Sequence, residues 1–339
     1  MTPSEELHFD LCGCRVLFSC GDPLLSFAVA GSLSAFSAPP GHADVSISAE
    51  LGAVSEAGLP PPLFSTRRWK VLKAPPGRRL VWYPEGAVCE YDFRTRSGRL
   101  RSADRALLEE LSYLLILSRA GEELDLAGLH RLHAGALGHA GRALLFCGPR
   151  GAGKTTLLLE LLKDPAFSLL SDDTPLVGGD GAVLPFPARV GLAPDSPHLP
   201  GFGGLRRLER RHYPPKRLLD TVKAGFRLSG PLPSGALFLL RRSERARIRR
   251  ASVPAAAAEL AVSLAVGWGV PQLAEYFLRG EPADLLRKGG ILGSRLRAAA
   301  RLLRRSGRYI FELSPDHARN AEELRAFLGS GSAQGARGR

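Results

Sequence analysis

Residues 143–173 constrain the fold of this chain more than any other stretch. They run Ala-Leu-Leu-Phe-Cys147, then Gly148-Pro-Arg-Gly151-Ala152-Gly153-Lys154-Thr155-Thr156, then Leu-Leu-Leu-Glu-Leu-Leu, and close on Phe167-Ser-Leu-Leu-Ser171-Asp172-Asp173. The middle matches G-x-x-x-x-G-K-[ST], with an apolar strand-like run before it and a helix-forming run after it. Glycines let backbone N–H groups curl around a triphosphate with no Cβ in the way, and the following helix aims its positive dipole end at the same anion. Lys154 then reaches the β/γ-phosphates and the Thr155 hydroxyl ligates Mg²⁺. A mere glycine-rich turn between strand and helix would not ask for Lys-Thr at this offset. The pattern points to ATP or a close relative, bound by Gly148, Gly151, Ala152, Gly153, Lys154, Thr155 and Thr156.

Charge is unevenly spread. The chain of 339 residues carries a net +13, and residues 201–250 hold 14 Lys or Arg against three acids, a net +11. Such clustering makes either a local anion-attracting field or a solvated arginine-rich face. A nucleic-acid partner is not expected, although the basic segment leaves room for one. The N-terminus lacks a basic region followed by an apolar core, and no apolar run reaches about 18 residues, so a cytoplasmic protein without a membrane span is expected. Five scattered cysteines do not form a disulfide framework, and Cys12-Gly-Cys14 has no second pair at metal-ligand spacing.

Taken in order, residues 1–128 read as a small N-terminal α+β domain. His8–Ser19 resembles an opening strand and Leu24–Phe36 a short helix. Strands follow at Ala43–Ala49, Trp69–Leu72, Arg79–Pro84, Val88–Phe93 and Arg99–Arg101, and Asp104 caps a helix over Arg105–Arg119. From residue 129, a hairpin turning at Gly138–Gly141 feeds the phosphate loop. The helix Thr156–Lys163 ends ahead of Pro165. Phe167–Leu170 then returns as a neighbouring strand and delivers Asp172 and Asp173 at its C-terminal end, where ligands gather in open α/β sheets. Val183–Leu192 is a strand-and-turn segment, and residues 194–234 are a Pro-, Gly- and Arg-rich loop. Gly235–Leu240 is a strand with Ile248 on its partner. Pro254–Val266, Pro271–Leu278 and Leu292–Leu303 read as helices, Arg308–Leu313 as a strand and Ala318–Phe327 as a last helix. The second domain thus spans 129–328, and 329–339 is a low-complexity, disordered tail.

Asp172 lies 17 residues beyond Thr155, room for one helix and a direct return. No L-S-G-G-Q-like segment of transport ATPases is present, and neither D-x-x-G nor N-K-x-D of GTPases follows in a fitting context. Shikimate- and gluconate-type kinases do place acids this close, but as Asp-x-Asp and in chains that begin almost directly with the loop. The order His133-Ala-Gly135, Gly148–Thr155, Ser171-Asp172-Asp173 resembles the HPr kinase/phosphorylase family. The later Pro185-Phe-Pro-Ala-Arg189-Val-Gly191-Leu and Ala-Leu-Phe-Leu-Leu-Arg segments look like the HPr-kinase-related proteins found near peptide-modification genes. The likeness covers residues 129–250 well and the rest loosely.

That resemblance implies an α/β fold with a P-loop-containing, HPr-kinase-like (PEP-carboxykinase-like) core. It implies Asp172 as the base that takes a proton from a serine or threonine hydroxyl, with His133 pairing with it and tuning it. Thr155 and Asp173 would hold Mg²⁺, and Arg189 would steady a phosphate or substrate. The family's Glu-x-Arg-Gly signature is replaced by Pro187-Ala-Arg189-Val-Gly191, which argues against HPr itself as acceptor and against a reverse phosphorylase activity. The expected function is an ATP- and Mg²⁺-dependent kinase acting on a Ser/Thr hydroxyl of a protein or peptide. A small-molecule kinase, and a non-catalytic ATP-binding module with a basic partner-binding loop, remain alternatives, and self-association stays open.

Overall fold

The computed structural model describes residues 5–210, 214–277, 279 and 282–330. The chain forms two compact units: the first comprises Met1–Leu124, Arg206–Leu218 and Pro271–Lys288, the second Asp125–Leu205, Leu219–Val270 and Gly289–Arg339.

The first unit begins with β1 (Glu5–Leu11) and β2 (Cys14–Cys20), then α1 (Pro23–Ser32), β3 (Val45–Leu51) and β4 (Pro62–Ser65). β5 (Lys70–Leu72), β6 (Arg78–Tyr83), β7 (Ala87–Asp92), β8 (Ser97–Ser102) and α2 (Arg105–Leu126) follow. The eight strands make one sheet in the order β1-β2-β3-β8-β7-β6-β5-β4, with β2, β3 and β8 mutually parallel and the other pairs antiparallel. The single opening strand expected over His8–Ser19 is instead the β1–β2 hairpin. Its Cys12-Gly13 turn has φ of 56° and 96°, the left-handed pair that closes two-residue hairpins. Asp22 caps α1 through the Leu25 N–H, and the Asp104 carboxylate accepts from Ala106 and Leu107 at the start of α2, which runs on past Arg119 to Leu126.

The second unit contains β9 (Leu129–Arg131), β10 (Ala134–His139), β11 (Arg142–Cys147), α3 (Lys154–Leu161), β12 (Phe167–Ser171), β13 (Leu176–Gly178), β14 (Ala182–Leu184) and β15 (Val190–Leu192). The basic loop folds into a short hairpin of β16 (Arg206–Leu208) and β17 (Lys216–Leu219). The chain continues through β18 (Leu232–Arg242), β19 (Arg247–Arg250), α4 (Val253–Leu260), α5 (Pro282–Arg305), β20 (Gly307–Leu313) and α6 (His317–Gly329). Beyond α4 the helix loosens into a π-type segment, Ala261–Val266. Of the helix expected over Pro271–Leu278 only a 3₁₀ turn, Ala274–Tyr276, forms among the described residues; Leu278 and residues 331–339 of the expected tail lie outside them.

β11, β18 and β20 run parallel at the centre of a nine-stranded sheet. Two expected adjacencies are corrected. β10 stands between β11 and β12, pairing antiparallel with both, so the acid-bearing strand is one removed from the strand that feeds the phosphate loop. Likewise β19 pairs with β20 and not with β18, so Ile248 sits opposite Phe311.

The apolar runs follow from burial on both faces. Ala143, Leu145 and Cys147 of β11, with Leu237 and Leu239 of β18, pack with Leu260 of α4 and Ala298 and Leu302 of α5. The alternate residues Leu144, Phe146, Phe238 and Leu240 pack with Leu157, Leu158 and Leu161 of α3 and with Leu324 of α6. This part of the chain is a three-layer α/β/α arrangement. Among the described residues no helix is long and apolar enough to cross a membrane.

Buried charge explains why two excursions join the first unit. Arg206 donates to Glu109 Oε1 at 2.5 Å and to the Ala28 carbonyl at 3.2 Å. Glu122 collects Arg119, Arg279 and Lys288 at 2.9, 2.6 and 3.0 Å. In the second unit Asp125 accepts from Arg295 Nη2 at 2.5 Å and Nε at 3.0 Å, while His130 Nδ1 stands 2.8 Å from Asp125 Oδ1 and its Nε2 2.9 Å from Ser294 Oγ. Burial pushes the Asp125 carboxyl up, but hydrogen bonds from His130 and Arg295 together outweigh it and hold the group below the usual aspartate range. Asp125→Ala strands the Arg295 guanidinium, so urea unfolding followed by circular dichroism should show a loss of about 3–5 kcal/mol. Because the folded value is depressed, the wild-type contribution is complete above the unfolded carboxyl's value, about 3.9, and fades as pH falls through the folded one; Asp125→Asn should flatten that acid limb.

Candidate functional site

The site is assembled by strand register. Ala140 and Gly141, at φ of 47° and 71°, close β10 and β11 into a tight hairpin. Its register pairs Ala134 with Cys147, so His133 emerges beside Gly148, the first residue of the phosphate loop. On the other side of β10, Ala136 pairs with Ser171 of β12, and beyond that pair the Ala134 N–H donates to the Asp173 carbonyl at 3.1 Å. His133, the start of the loop and the Asp172–Asp173 pair therefore converge at one edge of the sheet.

Gly135 makes the convergence close. A Cβ there would lie 2.9 Å from Leu158 Cδ1 and 3.3 Å from the Asp172 carbonyl oxygen, so α3 sits directly on the β10 backbone. Within the loop, Gly151 and Gly153 adopt φ of 80° and 98°, which side chains resist. Arg242, at the end of β18, braces the loop from outside by donating to the Gly151 carbonyl through Nε at 3.1 Å. Gly153 is the N-cap of α3 and offers no side-chain acceptor, which leaves the first-turn N–H groups of the helix to an anion.

Lys154 is buried, yet its ammonium has three acceptors. Nζ donates to the Gly148 carbonyl at 2.7 Å and the Pro149 carbonyl at 3.3 Å, and His133 Nε2 stands 3.2 Å away. An ammonium only donates, so Nε2 accepts and the neutral imidazole carries its proton on Nδ1. That nitrogen lies 3.2 Å from Asp173 Oδ1, without the alignment of a hydrogen bond. Asp173, expected as a metal ligand, thus stands beside His133. Asp172 itself is buried at 8% exposure, while the Asp173 side chain is half exposed at 47%, so the two carboxylates meet different surroundings. The strand end beneath them is fixed by Ser171, whose hydroxyl donates to the Phe186 carbonyl at 2.9 Å and accepts from the Thr174 N–H at 3.1 Å.

Thr155 and Asp173 suit a hard cation that takes one or two carboxylates and completes its shell with water and substrate phosphates. Thr155 follows Lys154 in the first turn of α3 and is half-buried. No group of three His, Cys, Asp or Glu side chains that could hold a metal occurs among the described residues. Arg189 is half buried and immediately precedes β15, whose Val190 and Leu192 pack with Leu159 of α3.

Four features of the site lie outside the motifs. The His133 N–H donates to the Ser263 carbonyl of the π-type segment at 3.1 Å. Gly269 fits under the His133 ring so closely that a Cβ there would come within 2.6 Å of Cδ2. Between Gly267 and Gly269, Trp268 is 74% exposed, with Val262 and Val266 exposed nearby in the chain. The Gly-Trp-Gly sequence is the one local signal that could have drawn attention to this segment. His198 braces the first turn of α3 through the Thr156 backbone, and burial holds its imidazole below the usual histidine range against the opposing pull of Glu160, 3.9 Å away. Neither the protein-family models nor the curated proteins give a match to this chain.

Proposed function

We propose that this chain is an ATP-dependent kinase with an HPr-kinase-like core, transferring the γ-phosphate to a Ser/Thr hydroxyl of a protein or peptide. The observation that carries the reading is the meeting of a buried lysine at an uncapped helix start, His133 and two adjacent carboxylates. Phosphoryl transfer needs alignment and charge neutralisation more than covalent help, and these are the groups that supply both.

In this reading residues 148–156 grip the triphosphate through loop amides and the start of α3, and Lys154 turns from the Gly148 and Pro149 carbonyls to the phosphates. Thr155 and Asp173 would hold Mg²⁺, which when bound would supply neutralisation of phosphate charge. Asp172 takes the proton as the acceptor oxygen forms its bond to the γ-phosphorus, and the bond to the β-phosphate oxygen breaks to release ADP. His133, with Nε2 beside Lys154 and Nδ1 3.2 Å from Asp173, stands between the phosphate and carboxylate ends of the site. The exposed Trp268 segment offers an apolar contact beside the acceptor's approach.

With labelled ATP and parallel panels of Ser/Thr peptides and small metabolites, label should pass to a peptide hydroxyl; transfer only to metabolites would replace this reading with the small-molecule one. Asp172→Asn should bind ATP with nearly unchanged affinity and transfer phosphate about 10²–10⁴-fold more slowly. Unaltered turnover would remove Asp172 from the role of base.

Of the three tryptophans, Trp268 alone belongs to the second unit. Titration with ATP and Mg²⁺ should therefore change tryptophan emission in the wild type. The change should vanish in Trp268→Phe and move to at least about tenfold higher ATP in Lys154→Ala, as expected for a lost charge-assisted hydrogen bond.

A further inference from the structure

We infer that the second unit holds another anion site, built for an oligophosphate, at the opposite edge of its central sheet from the phosphate loop. A cleft of about 1390 Å³ opens where β11, β18 and β20 begin, lined by Arg142, Leu144, residues 234–236 and residues 307–309. The phosphate loop leaves the far end of β11, five residues on, which at about 3.3 Å per residue is roughly 16 Å away. The two sites are separate.

Its charge is one-sided. Arg142, Arg250, Arg304, Arg305 and Arg308 line the cleft, and Asp180 is the one acid among the described lining residues. The Asp180 carboxylate is already used by its own turn, accepting from the Ala182 N–H at 3.0 Å. Three of the five arginines find carbonyls instead of carboxylates: Arg142 reaches the Ser234 carbonyl at 3.4 Å, Arg305 the Asp180 carbonyl at 2.5 Å and Arg308 the Leu303 carbonyl at 3.1 Å. Carbonyls hold guanidinium groups in place but do not neutralise them.

A second observation points to a ligand and not to a merely solvated basic face. Ser234 and Ser306 line the same cleft at 2% and 4% exposure, and neither hydroxyl has a hydrogen-bond partner among the described residues. Arg308 Nε is buried without a partner as well. A buried donor left without an acceptor is costly, so three in one basic cleft call for an acceptor. Phosphate oxygens suit both donor types, since guanidinium groups take them two at a time and hydroxyls fill the remaining lone pairs. The volume exceeds what one orthophosphate fills, so the cleft has room for several linked phosphates.

The test uses the full chain carrying Lys154→Ala, which removes the cation of the phosphate loop, and calorimetric titration with inorganic tripolyphosphate. One-to-one binding is expected, weakened at least about tenfold by adding Arg142→Ala with Arg308→Ala, and several-fold by adding Ser234→Ala. Circular dichroism on each variant verifies that it is folded, and a variant that is not is replaced by Arg142→Gln with Arg308→Gln. Citrate serves as the control of comparable charge and should bind more weakly. Absence of binding, binding indifferent to the arginine and serine substitutions, or citrate matching tripolyphosphate would each overturn the proposal. Because the titration reads no phosphate transfer, its outcome is independent of the kinase reading.

Discussion

The candidate site depends on one close approach, that of α3 to the backbone of β10 at Gly135. The space a side chain would need there is taken by Leu158 from one side and by the Asp172 carbonyl from another. Three elements thus meet at a residue with no Cβ: the helix that starts at Lys154, the strand that starts just after His133, and the strand that ends in the acid pair. Any side chain at 135 would lift α3 or move the end of β12, and the distances among Lys154, His133 and Asp173 would open together. The glycine of the His133-Ala-Gly135 triplet is therefore a packing requirement, whatever reaction the site performs.

This geometry also shows what was legible in the sequence and what was not. Strands buried on both faces declare themselves as apolar runs, so β11, β12 and β18 were found with ends correct to within a few residues. The phosphate loop and the helix after it were equally plain, because positive-φ glycines and a lysine at fixed offset are local requirements. Pairing is different. Nothing in Phe167–Ser171 states that its neighbour is β10 and not β11; that choice is made by long-range registers such as Ala136 with Ser171. The same blindness put Ile248 beside the wrong strand. Short strands such as β4 and β13 escaped because three or four residues carry too little periodicity to stand out.

Membership of the two units was harder still. Arg206–Leu218 and Pro271–Lys288 read as loop and helix within the second domain, yet belong to the first unit. What draws them there is a few buried ionic contacts, Arg206 with Glu109 and both Arg279 and Lys288 with Glu122, separated by about a hundred residues or more in sequence. Compositional shifts mark linkers, but a Pro- and Arg-rich stretch looks the same whether its arginines face water or a buried carboxylate. The sequence-level excess of positive charge over residues 201–250 therefore mixed two kinds of arginine. Arg206 is consumed in holding the first unit together, while Arg250 lines the basic cleft of the second.

The state of Lys154 follows from the same demand that buried charge be satisfied. Its three donors meet three acceptors, two loop carbonyls and His133 Nε2, so the buried ammonium is fully hydrogen-bonded. An anion entering the loop must offer at least as much, which a triphosphate does through charge as well as through lone pairs. In the proposed kinase, Lys154 turning to such a ligand takes the donor away from His133 Nε2, while the Ser263 carbonyl, accepting from the His133 N–H, and Gly269, close against the ring, keep the imidazole in position.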